Sequence, residues 1–485
     1  MAEALLRKYR PTASNPWDYA KAAHLLSRAG FGGPPEEVER LVTLGPEGAV
    51  DELLNYDRIP EEVAGVDFSA LYQLYEEAAR LAQSGADANT RFQLQIRINR
   101  TLQEKFQEVR AWWVARMLQT KRPLQEKMVF FWHGLLVSGF PEAYNPPFLY
   151  MQNELFRRMT LGNFKELILE ISKDPAMLVY LDNRSNRKGR PNENYARELL
   201  ELFTMGIGNY TEQDIKEAAR AFTGWTLRGT EFFFNRAQHD EGQKTFLGKT
   251  GNLDGTDIIN IIFEHPAAAR WLPRKLFEFF VHLRPDEAIV EDLGRLFTRT
   301  LFDVKAVVQT LLGSQVFYSP AAMRAQVKSP ASLVVGTARA LALPPSAVRA
   351  LVLVMDKMGQ ALLFPPNVGG WPKGQGWITT STILDRYNFA GLLTSGRMPG
   401  IPRSVMQGMP IGIDGLVPAS ATTAGEVTGA LLRRLLPGVA LDQKRMFGLW
   451  RVVGANRPTD PIQVTAQRVR SAVHLIMSMP EYQLT

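Results

Sequence analysis

The chain contains no cysteine. Disulfides, thiolate nucleophiles, zinc–thiolate sites and iron–sulfur clusters are therefore excluded. Histidine is scarce, with six in 485 residues: His24, His133, His239, His265, His282 and His474. A metal would have to be held by those rings together with Asp, Glu or Asn. No apolar run reaches the length of a membrane span. The opening stretch, MAEALLRKYRPTASNPWDYA, lacks the apolar core of a secretory signal, so a cytoplasmic protein is expected. There is no long basic run interleaved with aromatics, and nucleic acid is not an expected partner. No haem or nucleotide motif, Gly-rich phosphate loop or nucleophile triad is found either.

What is present is ordinary globular material. The chain is 45% hydrophobic and 22% charged, with a formal net charge of +7. That composition supplies ample core for a water-facing fold. Helical periodicity dominates, punctuated by Gly and Pro. It predicts a long helix over 90–119 and a second, rich in Phe and Trp and therefore buried, over 123–133. Thr211, with Asp214 three residues on, predicts a capped helix over 211–222. Residues 230–235 and 244–248 look like strands joined across His239–Gly242, which predicts one small β-hairpin near 230–248. The expected fold class is mainly α, a multi-helix array with that hairpin inserted. Residues 1–395 would form the main helical domain. Residues 396–424, rich in Gly, Pro, Met and Thr, would be an irregular linker. Residues 425–485 would be a C-terminal helical segment packed on the main domain.

The densest polar feature is LDNRSNRKGRPNENYARELLELFTMG, Leu181 to Gly206. Asp182, Asn183, Asn186, Asn192 and Asn194 lie in a loop that feeds a helix carrying Arg197, Glu198 and Glu201. At about 100° per residue, Asn194, Arg197, Glu198 and Glu201 share one stripe. Arg197 and Glu201 can pair at i,i+4. Such a loop holds a cation or polar ligand, or serves as an elaborate helix cap; the residues alone fit both.

Three further groups are candidates. His239 and Asp240, with Lys244 close by, suit a metal ligand or general base, but also a turn. His133, at the end of a buried helix, suits a structural ring or a ligand. If His133, Glu198 and His239 converged with Glu201, they would make a mixed N/O site for a divalent metal. Trp371 and Trp377, with Tyr387 and Asn388 beyond them, suggest a flat apolar platform for a sugar or planar ligand, or a plug over the core.

Several segments together resemble a bacterial family catalogued as domain of unknown function 1800. They are HLLSRAGFG (His24–Gly32), LGNFKELIL (Leu161–Leu169), the run Asp174–Ile215, AARAFTGW (Ala218–Trp225), HDEGQKTFLGKTGNLDG (His239–Gly255), PPNVGGWPKGQGWITTSTILDRYNFA (Pro365–Ala390) and the closing SMPEYQL. The resemblance spans nearly the whole chain. It implies a largely helical bacterial protein of no established activity. It also implies a gene neighbour encoding a sulfatase/phosphatase-like protein, hence a candidate protein partner. Many members of that family are exported, which keeps export open beside the cytoplasmic expectation.

Two classes of function follow. One is an acid/base or metal-assisted hydrolase or transferase acting on a polar, saccharide- or phosphate-type substrate. Arg197, Glu198, Glu201, His239 and Asp240 would be its chemical groups. Asp182, Asn183, Asn186, Asn192, Asn194, Lys244, Trp371, Trp377 and Asn388 would hold its ligand. The other is a non-catalytic helical scaffold working with the neighbour's product.

Overall fold

Many helix starts among the described residues are set by side chains that accept a backbone amide. The computed structural model describes residues 5–407 and 409–485. Asp18 caps α1 (Tyr19–Arg28). Helix α2 (Pro35–Leu54) is kinked at Gly45, whose φ is 70°. Helices α3 (Ser69–Gln83) and α4 (Ala88–Gln119) meet through Leu71, Leu74, Leu94, Ile98 and Leu102, an apolar cluster separate from the main core. Then come α5 (Pro123–Leu135), α6 (Phe140–Ala143), α7 (Pro146–Arg158), α8 (Phe164–Lys173) and α9 (Pro175–Tyr180). Helix α10 (Asn194–Glu198) runs directly into a π-helical turn, Leu199–Thr204. Helix α11 (Glu212–Ala221) opens on the expected capping box of Thr211 and Asp214.

Two of the four strands lie where strands were expected, at 231–234 and 244–246, but the other two fall outside 230–248 and the pairing differs. Strand β1 (Trp225–Arg228) pairs antiparallel with β2 (Glu231–Phe234), and β3 (Lys244–Phe246) with β4 (Lys249–Gly251). There are two hairpins, and His239–Gly242 is the tip of neither. The reason is local. Leu247 and Gly248 both take positive φ, 45° and 78°, as a two-residue primed turn requires. Gly229, at φ 65°, turns the first hairpin. Each strand therefore meets its nearest neighbour in sequence.

Helices α12 (Gly255–Glu264), α13 (Pro266–Phe280), α14 (Glu287–Arg299) and α15 (Val304–Leu312) follow, then α16 (Pro330–Ala340), α17 (Val348–Lys357) and α18 (Thr380–Ser395). Apart from a short 3₁₀ turn, Arg403–Val405, the described residues between Gly396 and Thr423 are irregular, and Met398, Ile401, Ile411 and Leu416 are buried. Helices α19 (Ala424–Leu435), α20 (Gln443–Val452) and α21 (Ala466–Met477) close the chain. Their apolar faces join the same core cluster that begins at Tyr9. Among the described residues, no helix is long and apolar enough to cross a membrane.

Helix α5 runs through the centre of this core. Every residue from Pro123 to His133 is buried, as its aromatic content predicts. It therefore carries two charged residues, Glu126 and Lys127, out of water.

Candidate functional site

The Asn-rich loop is a knot that satisfies itself. Asn186 is buried and donates from Nδ2 to the Ala219 carbonyl (2.8 Å) and to Asn183 Oδ1 (3.1 Å). Its Oδ1 accepts from the Asn192 amide at 2.9 Å. Asn192 donates in turn to Asp182 Oδ2, and its Oδ1 takes the Asn194 amide. Asn183 donates weakly to the Trp225 carbonyl at 3.4 Å. The Gly224 amide closes the knot on the Asn186 carbonyl. Gly224 has φ 81°, and a Cβ there would stand 2.5 Å from the Asn235 carbonyl oxygen, so no other residue fits. The side chains of Asp182, Asn183, Asn186 and Asn192 thus brace one another and the neighbouring backbone, whereas Asn194 is exposed and enters through its backbone amide.

The π-helical turn changes the polar stripe. Arg197 does not pair with Glu201. It reaches Glu193 at 3.1 Å and, as a two-pronged pair, Glu212 at 2.8 and 2.9 Å. The wider turn after Glu198 departs from the α geometry that put Arg197 and Glu201 in register, and α11 supplies Glu212 instead. Glu201 accepts from the Tyr210 hydroxyl at 3.3 Å. Glu198 is half-buried. Burial, then the charge of Glu201, raises its pKa above the ordinary carboxylate range.

The His239 loop is a second braced element. His239 is buried, with Nδ1 at 2.9 Å from the Thr223 carbonyl and its ring edge-on to Phe234. Asp240 accepts from Arg220 Nε at 2.8 Å, and this bond chiefly holds its pKa down to about 2. The Lys244 ammonium is buried and donates to the carbonyls of Asp240 and Gly242. This loop lies against the Asn knot, with Lys188 donating to the Gln238 carbonyl at 2.7 Å. The fold thus brings two of the sequence candidates together, as one interlocked structural unit.

His133 lies elsewhere, wedged between Trp113 and Trp371. Its Nε2 accepts from the Leu363 amide at 3.2 Å. Burial lowers its pKa to about 3, so it is a neutral structural ring. Among the described residues, no three His, Asp or Glu side chains form a group able to hold a metal ion. The convergence of His133, Glu198 and His239 considered from the sequence is not seen.

Trp371 and Trp377 do wall a cavity, of about 150 Å³. Asn388 is not among its lining residues. Its polar side is Lys127, Arg28, Gln360, Ser329 and Ser332. Lys127 is only 6% exposed. Its ammonium lies over the rings of Phe31 (4.8 Å) and Phe279 (5.5 Å) and makes one long contact, 3.5 Å, with Ser332 Oγ. No Asp or Glu pairs with it among the described residues. Burial, then the nearby charge of Arg28, lowers its pKa to about 7. Glu278 also lines the cavity, but it takes Lys275 (3.6 Å) and Lys373 (3.7 Å). The Trp371 indole N–H is buried without an acceptor.

Sequence reasoning found the two tryptophans and missed Lys127. The signal was there: a helix read as buried on every side also carries a lysine. A charged residue in such a helix has to be paired, neutral or matched by a ligand.

The family model described as "Protein of unknown function (DUF1800)" matches residues 24–484. The chain belongs to that family. No curated protein and no solved structure matches it.

Proposed function

We propose that the protein is an acid–base enzyme whose site is the cavity between Lys127 and the Trp371–Trp377 loop. The observation that carries this reading is Lys127: a buried amine without an acidic partner, in the wall of an aromatic cavity. Such an amine is near half-protonated at neutral pH, the condition for exchanging protons with a substrate. The tryptophan faces suit a sugar or other ring, and Lys275 and Lys373 bring positive charge to the same cavity. The reaction class that fits is hydrolysis or group transfer on a polar, saccharide- or phosphate-type substrate.

The test needs no known substrate. Competitive labelling with trace acetic anhydride across pH 5–11, read by mass spectrometry, gives the titration of Lys127. The expected midpoint is near 7. A midpoint near 10 would remove the acid–base role. Chromogenic glycosides and phosphate esters then supply the activity arm. Turnover should inflect near pH 7 and fall by ~10²-fold or more in Lys127→Met.

A further inference from the structure

Lys127 is not alone in lacking a counter-charge. A second cavity, of about 100 Å³, lies beside the first and is lined by Arg324, Lys328, Tyr482 and Ser332. Ser332 and Thr485 line both cavities. The Lys328 ammonium sits 4.1 Å from the centre of the Tyr482 ring. Arg386, buried behind it, donates to the Lys328 carbonyl and to Gln483 Oε1, and its Nε has no partner. Arg28 spends its guanidinium on the main-chain oxygens of Phe279, Phe280, Val281 and Thr485. Arg324 feels the charge of Glu481, but that carboxylate pairs with Arg445.

Five cations are thus gathered at one place: Arg28, Lys127, Arg324, Lys328 and Arg386. Among the described residues none forms a salt bridge with Asp or Glu. They also feel one another: Arg28 acts on Lys127, and Arg324 and Arg386 act on Lys328. Arg28, Arg324 and Arg386 already have oxygen acceptors, Arg324 in the carbonyls of Glu481 and Pro437. Lys127 and Lys328 are left with aromatic rings and one long hydroxyl contact, so a bound anion would relieve those two amines. The wall between the cavities is suited to hold one. Ser329 and Ser332 sit in the first turn of α16, where the helix dipole is positive. Most of its amides already have partners: Ala331 bonds Gln360 Oε1, and Ser332 bonds Ser329 Oγ. The side-chain cations would therefore carry the recognition.

We propose that the two cavities form one two-chambered site for a small molecule bearing a phosphate-, sulfate- or carboxylate-type anion, seated at Ser332 between Lys127 and Lys328. The proposal rests on Lys127 belonging to a ligand site, and it adds what that ligand carries. The aromatic chamber holds its ring; the anion spans the shared wall.

The experiment is isothermal titration of the full chain with inorganic phosphate and with sulfate, at constant ionic strength against chloride. Wild type, Lys127→Met and Lys328→Met are compared, each checked for folding by circular dichroism. Met matches lysine in length and removes a buried charge, so both variants are expected to fold. Wild type should bind phosphate with a Kd below about 1 mM. Each variant should bind at least tenfold more weakly. Binding no stronger than chloride overturns the proposal, as does either variant binding like wild type. The acid–base reading is tested separately. If Lys127 titrates near 7 but phosphate does not bind, the anion seat fails and the acid–base reading stands. If phosphate binds through both lysines while Lys127 titrates near 10, the reverse holds.

Discussion

Glu126 and Lys127 are consecutive residues on one buried helix, and only the first has a partner of opposite charge. Glu126 accepts from Arg157 at 2.7 and 2.9 Å and from Arg116 at 3.0 Å. Burial alone would raise its pKa, but the two guanidiniums outweigh burial and hold it below the ordinary range. Lys127, about 100° further round the helix, finds rings and one distant hydroxyl. The same helix thus shows both outcomes of burying charge: compensation within the fold, and a charge left for something else to compensate.

The first prediction follows from that contrast. The folded pKa of Lys127, about 7, lies below the 10.5 of a free lysine. Between those values the unfolded chain binds a proton that the native state has shed. Stability therefore rises with pH across this window. Lys127→Met lacks that term. It should be more stable than wild type at pH 6, by about 3 kcal/mol if the amine is uncompensated, with the gap closing toward pH 10. Urea denaturation at pH 6 and pH 9.5 checks this. Equal stability at pH 6 would mean the amine already has a counter-charge.

Asn186 is expected to be structural and costly to lose. Asn186→Ala removes two donated bonds and one accepted bond in a buried setting. A loss of about 2–4 kcal/mol is expected. Asn194, which is exposed, should tolerate Ala within about 1 kcal/mol. If Asn186→Ala kept full stability but lost ligand binding, the knot would be a ligand site after all.

Arg220 and Asp240 should behave as a structural couple. A double-mutant cycle should return a coupling of about 1 kcal/mol, as for a partly exposed charged pair with two contacts. The folded pKa of Asp240, about 2, lies below its free value. On acidification the unfolded chain takes the proton first. The stabilisation is therefore complete above pH 4 and is lost as pH falls toward 2. Asp240→Asn should show less of this acid loss.

Glu198 tests the polar stripe from the opposite direction. It is half-buried, and burial and Glu201 raise its pKa. Glu198→Gln removes a repulsion and breaks no salt bridge found among the described residues. The Tm at pH 7 should stay level or rise. A drop of several degrees would reveal a partner that the carboxylate needs.

Much of this was legible in the sequence because it depends on short-range rules. The Thr211–Asp214 box and the buried stretch from Pro123 to His133 follow from residue type and spacing alone. The strand pairing did not, because the tight turns at 229–230 and 247–248 went unrecognised and the loop between the two hairpins was read as the connection of one. Arg197 was paired wrongly because a π-turn is invisible to a pattern built on 3.6 residues per turn. The cavity was half-legible. Trp371 and Trp377 announce themselves, but Lys127, Lys328 and Ser332 lie far apart in the chain, and only packing shows that they share a wall. The polar signature loops were the most conspicuous feature of the sequence, and several of their side chains, Asn183, Asn186, Asn192 and Asp240 among them, bond to neighbouring groups of the fold.

Asp174 extends that argument to an acid inside the longest signature segment. It is buried, it caps α9 by accepting from the Met177 amide at 3.0 Å, and it accepts from Gln152 Nε2 at 2.7 Å. Burial raises its pKa to about 7, against those bonds. Here the native state keeps a proton that the unfolded chain releases near pH 4. The sign is therefore the reverse of Lys127: stability falls as pH rises from 4 to 7, then levels off. Asn is as good a cap as Asp and does not titrate. Asp174→Asn should accordingly gain on wild type between pH 4 and 7, with a constant advantage above that. Thermal unfolding at pH 4.5, 6 and 8 measures the gap. A gap that does not widen with pH would show that the Asp174 carboxylate is ionised in the native state, and that an unseen cation or water compensates it there.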